Sequence, residues 1–345
     1  MNPPEEVVYL EPWGAFHLGE RGIGLEETAV IVHADTLHAA LVTAASILEG
    51  RDAVDRLAGT NPSVLLSSAF PFAGPVRFYP RPMIPPREAE AQPAGDVKWK
   101  DVAYISEQLL TAHLTGRPYP SVEVIHGGTA LLSGEEAEAL RRFLGMGNLA
   151  GLNFWAKATA PRVALDVASQ RSGIWHFGRV AFHPGAGFFF RVRYRHPDFV
   201  DRFRAIVRLL ADTGLGGDRS SGHGLFKARF EEARAVGEPS ADRFLTLAPV
   251  YPPPDQLPAL LGSESRYRWL IRGGWISGAA ATPYRRRTVR MLAEGSLLTG
   301  AANSLWGTVV DVTPEGIPEP LPFRVLRYGF AFAVGVPPWE KCSNR

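Results

Sequence analysis

The chain has 345 residues, a length that predicts about two domains. Apolar residues make up 46% and charged residues 21%, so a packed core is expected and a disordered polymer is excluded. No run approaches the roughly 18 apolar residues of a membrane span. The single cysteine, Cys342, excludes a disulfide framework and a cysteine-based zinc site. Because Glu5 and Glu6 stand where a signal peptide would be basic, we expect a cytoplasmic protein.

The net charge of +2 is unevenly distributed along the chain. Residues 157–230 carry a balance of +8 and residues 264–290 a balance of +6, which leaves −12 for the remainder. This asymmetry favours a basic surface that binds a polyanion, and an acidic remainder that meets a basic partner.

The N-terminal part predicts alternating strands and helices. Periodicity and end signals predict strands over Val7–His17 and Val64–Phe72 and helices over Asp35–Leu48, Asp101 to about Thr115, and Gly134–Leu144. Asp35 is the expected N-cap of the first helix, and Gly50 and Gly145 are expected stops. The proline-rich residues 71–93 are not expected to be regular throughout.

Residues 161–181 predict a β-hairpin that projects from the body. Two strand-like segments flank residues 166–173, which are polar and rich in turn formers. Gln170 and Arg171 would lie at the tip, with Trp175 behind them to stack on bases.

A second strand–helix pair follows. Arg191, Arg193 and Arg195 alternate with apolar residues, so period two places the three arginines on one face of a strand. The helix that opens at Pro197 has an apolar face formed by Phe199, Phe203, Ile206, Val207 and Leu210. A glycine-rich loop and a further strand come next. The order predicts a split β-α-β plan, the ferredoxin-like arrangement, with a long insertion in its middle.

The glycine loop, Gly214–Gly224, is the most informative segment. Five glycines allow positive φ and close backbone approach to a ligand, and successive N–H groups can form an anion-binding nest. Arg219, Ser220 and Ser221 supply donors for phosphate oxygens. The alternative is a flexible connection that binds nothing.

A boundary is expected near residues 236–240. Residues 240–345 are rich in strand signals and poor in helix signals, so they predict a degenerate second copy of the first domain. Trp269 and Trp306 are expected in its core. Arg272–Trp275 offers a second backbone approach to phosphate, and Arg285–Arg287 add positive charge.

Several catalytic classes lack their motifs. The chain has no Gly-Lys pair for a Walker loop, no Gly-x-Ser-x-Gly elbow and no His-Glu-x-x-His motif, and we expect no cofactor or metal. His17, His33 and His38 leave one enzymatic alternative, metal-independent cleavage of RNA.

Motifs in order along nearly the whole chain carry a family resemblance. They are Phe16–Glu20, His33–Leu37, Leu66–Phe72, Pro161–Asp166, Ser172–Phe177, the glycine loop, Arg272–Trp275 and Arg327–Phe332. With these motifs the chain resembles the RAMP proteins of CRISPR effector complexes, and among them the Csm subunit family that caps the crRNA 5′ handle in type III-A complexes. The alternatives are the equivalent subunit of type III-B complexes and a metal-independent endoribonuclease that processes precursor crRNA.

The resemblance implies an α+β fold of two ferredoxin-like (RRM-type) domains. The first would span 1–236, with an insertion at 80–185 that includes the hairpin thumb 161–181, and the second 240–345. It also implies a non-catalytic subunit that binds crRNA and target RNA, the large polymerase-domain subunit and an adjacent backbone RAMP subunit, without a membrane. The residues expected to bind RNA are His17, Arg162, Gln170, Arg171, Trp175, Gly216, Gly217, Arg219, Ser220, Ser221, His223, Arg272, Arg285 and Arg286.

Overall fold

The computed structural model describes residues 4–19, 30–86, 97–165, 172–276, 284–316, 321 and 323–338. The helices are α1 Ala34–Leu48, α2 Arg51–Ala58, α3 Glu107–Thr115, α4 Gly134–Leu144, α5 Val200–Thr213 and α6 Leu257–Leu260. The strands of the first part are β1 Glu5–Pro12, β2 Val64–Leu66, β3 Phe70–Ala73, β4 Val76–Pro80, β5 Tyr104–Ser106, β6 Val122–Ile125, β7 Ala130–Ser133, β8 Trp155–Leu165, β9 Ser172–Phe182, β10 Ala186–Tyr194 and β11 Phe226–Ala233. Those of the last part are β12 Arg243–Thr246, β13 Trp269–Arg272, β14 Val289–Leu292, β15 Leu297–Thr299, β16 Val310–Asp311, β17 Leu326–Arg327 and β18 Ala333–Gly335.

The fold is mixed α/β, with few helices around one large sheet. Its strand order is β11-β1-β10-β3-β4-β5-β7-β6, and β2 also pairs with β10. β1 runs antiparallel to both β10 and β11, and β10 runs antiparallel to β2 and β3. Helix α1 links β1 to β2, and α5 links β10 to β11, so the strands flanking each helix are separated in the sheet by one other strand.

The apolar face of α5 confirms the prediction made from its periodicity. Phe199, Phe203, Ile206, Val207 and Leu210 are all buried in the main core. α5 packs beside α1 and against β11. The core therefore lies between this helix pair and the sheet, as expected for elements that are apolar on one side.

The three alternating arginines, two on β10 and Arg195 directly after it, do not form an open basic face, which corrects that expectation. Arg191 is buried; its Nη2 donates to Glu5 Oε2 at 3.1 Å. Arg193 Nε donates to Glu5 Oε1 at 2.7 Å, and Arg195 Nη1 donates to Asn61 Oδ1 at 2.6 Å. A buried arginine needs a paired carboxylate, and the neighbouring strand β1 provides it.

Much of the charge asymmetry is compensated inside the chain. Glu6 on β1 accepts a hydrogen bond from Arg204 Nε at 3.0 Å, and Glu11 accepts one from Arg229 Nε at 2.8 Å. The basic stretch 157–230 therefore lies against acidic residues of β1, and only part of its excess charge faces outward.

Several predicted boundaries are wrong for reasons of non-local pairing. The first strand ends at Pro12, five residues before its predicted end at His17, because the chain turns there toward the glycine loop. The expected strand 64–72 is split into β2 and β3. The helix expected from Asp101 begins at Glu107, since β5 pairs with β4 and β7. Regular strands also extend through Pro80, into the proline-rich stretch.

Asp35 is not the N-cap of α1, which corrects another expectation. The cap position is His33, and the backbone N–H of Ala34 donates to Ser68 Oγ at 2.8 Å. Asp35 lies in the first turn and is buried. By contrast α4 has its expected bounds: Ser133 and Glu136 form a capping box, and Gly145 ends the helix in the left-handed conformation.

The last part of the chain consists of short antiparallel strands around a small core, and weak helix content is confirmed by the four-residue α6. Trp306 stacks on Phe244, with ring centroids 6.3 Å apart. Trp269 is 45% exposed, so its expected place in the core is wrong.

We predict that the protein loses stability between about pH 6.5 and pH 4 because of His38. Burial lowers the pKa of His38 to about 4, and its Nε2 lies 3.1 Å from the Leu57 carbonyl oxygen. Below the unfolded pKa of about 6.5 the unfolded chain takes up a proton that the native state does not accept, so unfolding becomes easier as pH falls. Urea unfolding should show a pH-dependent loss on the order of 3 kcal/mol from this group.

The matched variant is His38→Gln, which keeps a donor but does not titrate. Its free energy of unfolding should depend on pH less steeply than that of the unsubstituted protein, whatever its value at pH 7. Identical pH dependence in the two proteins would contradict the assignment.

Candidate nucleic-acid interface

The glycine loop is a folded structure fastened to the chain after β1. The N–H of Leu215 donates to the Gly224 carbonyl at 2.9 Å and closes the loop. The N–H of Gly217 donates to the His17 carbonyl at 3.0 Å, and that of Gly224 donates to Ala15 at 3.0 Å. A short 3-10 turn, Arg219–Ser221, forms the tip. The loop is therefore folded and is not a flexible connection.

Most of the glycines serve packing within the chain. A Cβ on Gly216, whose φ is +99°, would lie 2.4 Å from the His17 carbonyl oxygen. A Cβ on Gly217 would lie 2.6 Å from Cδ2 of the His17 ring, and one on Gly224 would lie 2.2 Å from the Leu215 carbonyl oxygen. Close approach to the chain itself explains these three glycines, whereas Gly222 faces open space.

The tip of the loop presents the polar groups expected from the sequence. Arg219, Ser220 and Ser221 are exposed. Ser221 Oγ donates to Asp218 Oδ1 at 3.0 Å, and His223 Nδ1 lies 3.3 Å from Asp218 Oδ2. The Asp218 carboxylate thus orders the loop from inside, while Arg219 makes no ion pair with another described residue.

His17 joins the loop to the root of the long hairpin. Its Nδ1 donates to the Gly178 carbonyl at 2.6 Å, and its side chain is buried. The adjacent Phe16 pairs with Val180 through two backbone hydrogen bonds of 2.8 and 2.9 Å. The expected RNA contact by His17 is corrected: the residue holds loop and hairpin together from beneath.

The hairpin is longer than the predicted strands. β8 and β9 pair antiparallel from Trp155 opposite Phe182 to Leu165 opposite Ser172. At about 3.4 Å per residue this ladder is roughly 35 Å long. Arg162 stands opposite Trp175 in its register. Gln170 and Arg171 fall outside the described residues.

Arg272 is not available to RNA, which corrects its expected role. Its Nε and Nη2 each donate to an Asp35 carboxylate oxygen at 3.0 Å. Arg327 donates to the same carboxylate and also to the Gly273 carbonyl, the latter at 2.7 Å. Burial alone would raise the pKa of Asp35, but the two guanidinium charges outweigh it and hold that pKa far below its usual range. These contacts form a buried ion cluster.

The three consecutive arginines 285–287 differ in their surroundings. Arg285 is exposed, and its guanidinium lies 4.7 Å from the centre of the Trp275 ring. Arg286 is half-buried, and burial together with the charge of Arg327 lowers its pKa. Arg287 Nη1 donates to Glu315 Oε1 at 2.6 Å. Only Arg285 therefore combines exposure with an aromatic neighbour.

His33, a candidate in the endoribonuclease alternative, is paired. Its Nδ1 lies 2.7 Å from Glu294 Oε1, and Ser68 Oγ donates to the same oxygen at 2.5 Å. Burial would raise the pKa of Glu294, but the His33 charge and the hydrogen bonds lower it. These contacts join the N-terminal and C-terminal parts of the chain beside the buried ion cluster.

Sequence reasoning missed Trp13. Its indole is 78% exposed, and its backbone N–H donates to the Leu225 carbonyl at 3.1 Å, next to the glycine loop. It falls within the stretch predicted as a strand, so its exposure could have been found only from the turn after β1.

No helix in the described part of the chain combines the length and apolar character needed to cross a bilayer. The same residues contain no group of three or more His, Cys, Asp or Glu side chains placed to hold a metal ion.

Comparison with known proteins shows what this chain resembles. A family model described as the CRISPR Csm4 C-terminal domain matches residues 239–336. A protein of Thermococcus onnurineus strain NA1, named CRISPR system Cms protein Csm4, is 27% identical over 309 residues, covering 89% of this chain and 92% of that protein. The chain is therefore similar to Csm4 proteins along most of its length.

The fold of this chain is similar to solved structures over almost its whole length. A chain in the crystal structure of a Csm3-Csm4 subcomplex of the type III-A CRISPR-Cas interference complex matches with TM-score 0.67 and 18% identity, covering 97% of this chain and 100% of that one. A chain of a Csm1-Csm4 cassette in complex with cA4 matches with TM-score 0.58 and 20% identity, covering 97% and 98%.

We predict that Gly217→Ala destabilises the joint between the glycine loop and His17. The added methyl group would meet the His17 ring, and overpacking of this kind costs typically about 1–3 kcal/mol. Urea unfolding measures the loss. The control is Gly147→Ala, because a Cβ there has no atom within 4 Å. Equal stability of the two variants would contradict the packing described.

We predict a larger loss for Asp35→Ala. The substitution leaves two buried guanidinium groups without their carboxylate, and breaking a buried pair costs about 3–5 kcal/mol. Equilibrium unfolding measures the effect. Asp55→Ala removes an exposed partner of Arg51 and should cost under about 1 kcal/mol. A loss at Asp35 no greater than that at Asp55 would refute the structural role of the cluster.

Proposed function

We propose that this chain is the non-catalytic RNA-binding subunit of a type III-A CRISPR effector complex, binding the repeat-derived 5′ tag of the crRNA and docking the large polymerase-domain subunit. The observation that carries the proposal is the His17 joint. It places the exposed tip of the glycine loop and the root of the long hairpin on one rigid support. Loop and hairpin can then act on one RNA strand at the same time.

The chemistry of the loop tip suits a phosphate backbone. Arg219 offers charged donors, Ser220 and Ser221 are exposed, and the hydrogen bonds beneath hold the tip in place before RNA arrives. Pre-organisation of this kind lowers the entropy cost of binding. Trp13 adds an exposed ring beside the loop for a base to stack on.

The hairpin supplies the second element of the proposal. We infer that it acts as a thumb that enters the guide–target duplex, with Arg162, Gln170, Arg171 and Trp175 as RNA contacts. Two observations support this role of the hairpin: the length of the β8–β9 ladder, and the attachment of the hairpin root next to the glycine loop.

We also infer that the fold of the chain provides an RRM-type platform for RNA. The first domain, 1–236, is inferred to be ferredoxin-like with its insertion at 80–185, because β11-β1-β10-β3 and their two helices follow the split β-α-β order. The second domain, 240–345, is inferred to be a degenerate copy. Its short strands and near absence of helix among the described residues are what such a copy retains.

The inferred partners follow from the relatives. Similar chains were crystallised in a Csm3-Csm4 subcomplex and in a Csm1-Csm4 cassette. We infer that this chain likewise binds an adjacent backbone subunit and the large subunit, together with crRNA and target RNA, in the cytoplasm. Its role is that of a scaffold, because His17 and His33 are engaged in holding the fold together.

We predict that Arg219→Ala weakens binding of tag-bearing crRNA by the full-length chain assembled with its two partner subunits. One lost phosphate contact should lower the magnitude of the log–log salt slope by about 0.7. Fluorescence anisotropy over a salt series measures this. Arg51→Ala is the control, since Arg51 is exposed and on α2, away from the loop. Equal slopes for all three proteins would contradict the proposal.

The same samples test the endoribonuclease alternative. A scaffold should leave precursor crRNA intact on incubation. Cleavage that disappears in His17→Ala or His33→Ala while RNA binding persists would establish the enzyme instead.

A further inference from the structure

β13 and β14 form a second hairpin, in the C-terminal part of the chain. β13 and β14 pair from Trp269 opposite Leu292 to Arg272 opposite Val289. The pairing continues outward where Trp275 bridges Arg285. The buried side of this hairpin includes Arg272, which anchors it to the buried ion cluster.

The other side carries an aromatic stripe. The described part of the chain has ten exposed large hydrophobic residues, and four belong to this hairpin. The aromatic stripe consists of Tyr267, Trp269, Ile271 and Trp275. The first three alternate along the strand and so share a face. The rings of Tyr267 and Trp269 meet edge to face, with centroids 5.8 Å apart.

Arginines surround the aromatic stripe. Arg290 stands opposite Ile271 in the register, so their side chains share a face. Arg285 lies over the Trp275 ring. Residues 265–293 contain no Asp or Glu, and no described carboxylate pairs with Arg268 or Arg290. Burial, followed by the charge of Arg268, lowers the pKa of Arg81, which fits an uncompensated positive surface.

We propose that the aromatic stripe and its arginines form a stacking platform for the unpaired bases of single-stranded RNA. This rests on the proposed function, and adds a second RNA contact distant in sequence from the glycine loop. Every base offers a π-face for Trp269 and Tyr267, and every nucleotide offers a phosphate for Arg285 and Arg290. An RNA strand therefore offers partners both to the exposed rings and to arginines that pair with no described carboxylate.

The structure favours RNA over a protein here because of the charge pattern. A protein surface would have to bring acidic groups and an apolar patch in matching register. RNA presents one phosphate with each base, so its repeating chemistry fits a row of rings edged by arginines.

The test uses the full-length chain and a labelled single-stranded RNA of about 12 nucleotides without the tag sequence, within the site sizes of single-strand binders. The double variant Tyr267→Ala/Trp269→Ala should bind at least about fivefold more weakly, and Trp269→Phe should retain most of the affinity. The salt slope should stay unchanged in the ring variants and fall by about 0.7 in Arg290→Gln. Ile47→Ala, which removes an exposed apolar side chain from α1, is the control.

Unchanged RNA affinity in the ring variants, with unfolding midpoints like that of the unsubstituted chain, would overturn the platform. Loss of large-subunit binding in those variants, without loss of RNA affinity, would assign the stripe to a protein instead. If tag-bearing crRNA still binds in an Arg219-dependent manner while the ring variants have no effect, only the platform fails. If the chain binds neither RNA, the proposed function fails as well.

Discussion

The carboxylate of Asp35 is the interaction on which the arrangement of the two halves depends. It lies in the first turn of α1, on the N-terminal half, and receives hydrogen bonds from Arg272 and Arg327 of the C-terminal half. All three side chains are buried, so each charge is stable only because the others are present. Glu294, paired with His33, repeats this logic beside it. These two groups of buried charges therefore fix the position of the C-terminal half against the N-terminal half.

Two exposed surfaces are positioned by buried polar residues of this kind. Arg272 ends the β13 strand whose other face carries the exposed rings, so the buried ion cluster also positions the aromatic stripe. Beside the glycine loop, His17 has the same kind of role. It is buried and bonded to Gly178, and it supports both the glycine loop and the hairpin root. In both places a buried polar residue organises an exposed surface. Residues that the sequence suggested as RNA contacts, His17 and Arg272, thus lie beneath the exposed surfaces.

The sequence could predict those elements whose signals are local. α4 has its capping box and C-terminal glycine in the sequence itself, and the apolar face of α5 is visible in its spacing. The glycine loop was found for the same reason. The structure adds why its glycines are there, which depends on the approach of His17 from a segment about two hundred residues earlier.

What the sequence could not show depends on partners far along the chain. The burial of Arg191 requires Glu5 of the neighbouring strand, and that of Arg272 requires Asp35. Trp269 was expected in a core because aromatic residues usually are, but its ring is half-exposed and meets that of Tyr267 edge to face. A charge count cannot distinguish an arginine that faces RNA from one that faces a glutamate in the same sheet.

The most direct test of the central claim is to purify this protein gently from its native cells through a tag and to sequence the RNA that accompanies it. If the chain caps the crRNA, we expect short RNAs that share one repeat-derived 5′ end, together with a large co-purifying subunit. Purification without RNA, or with unprocessed precursors that are cut on incubation, would contradict it.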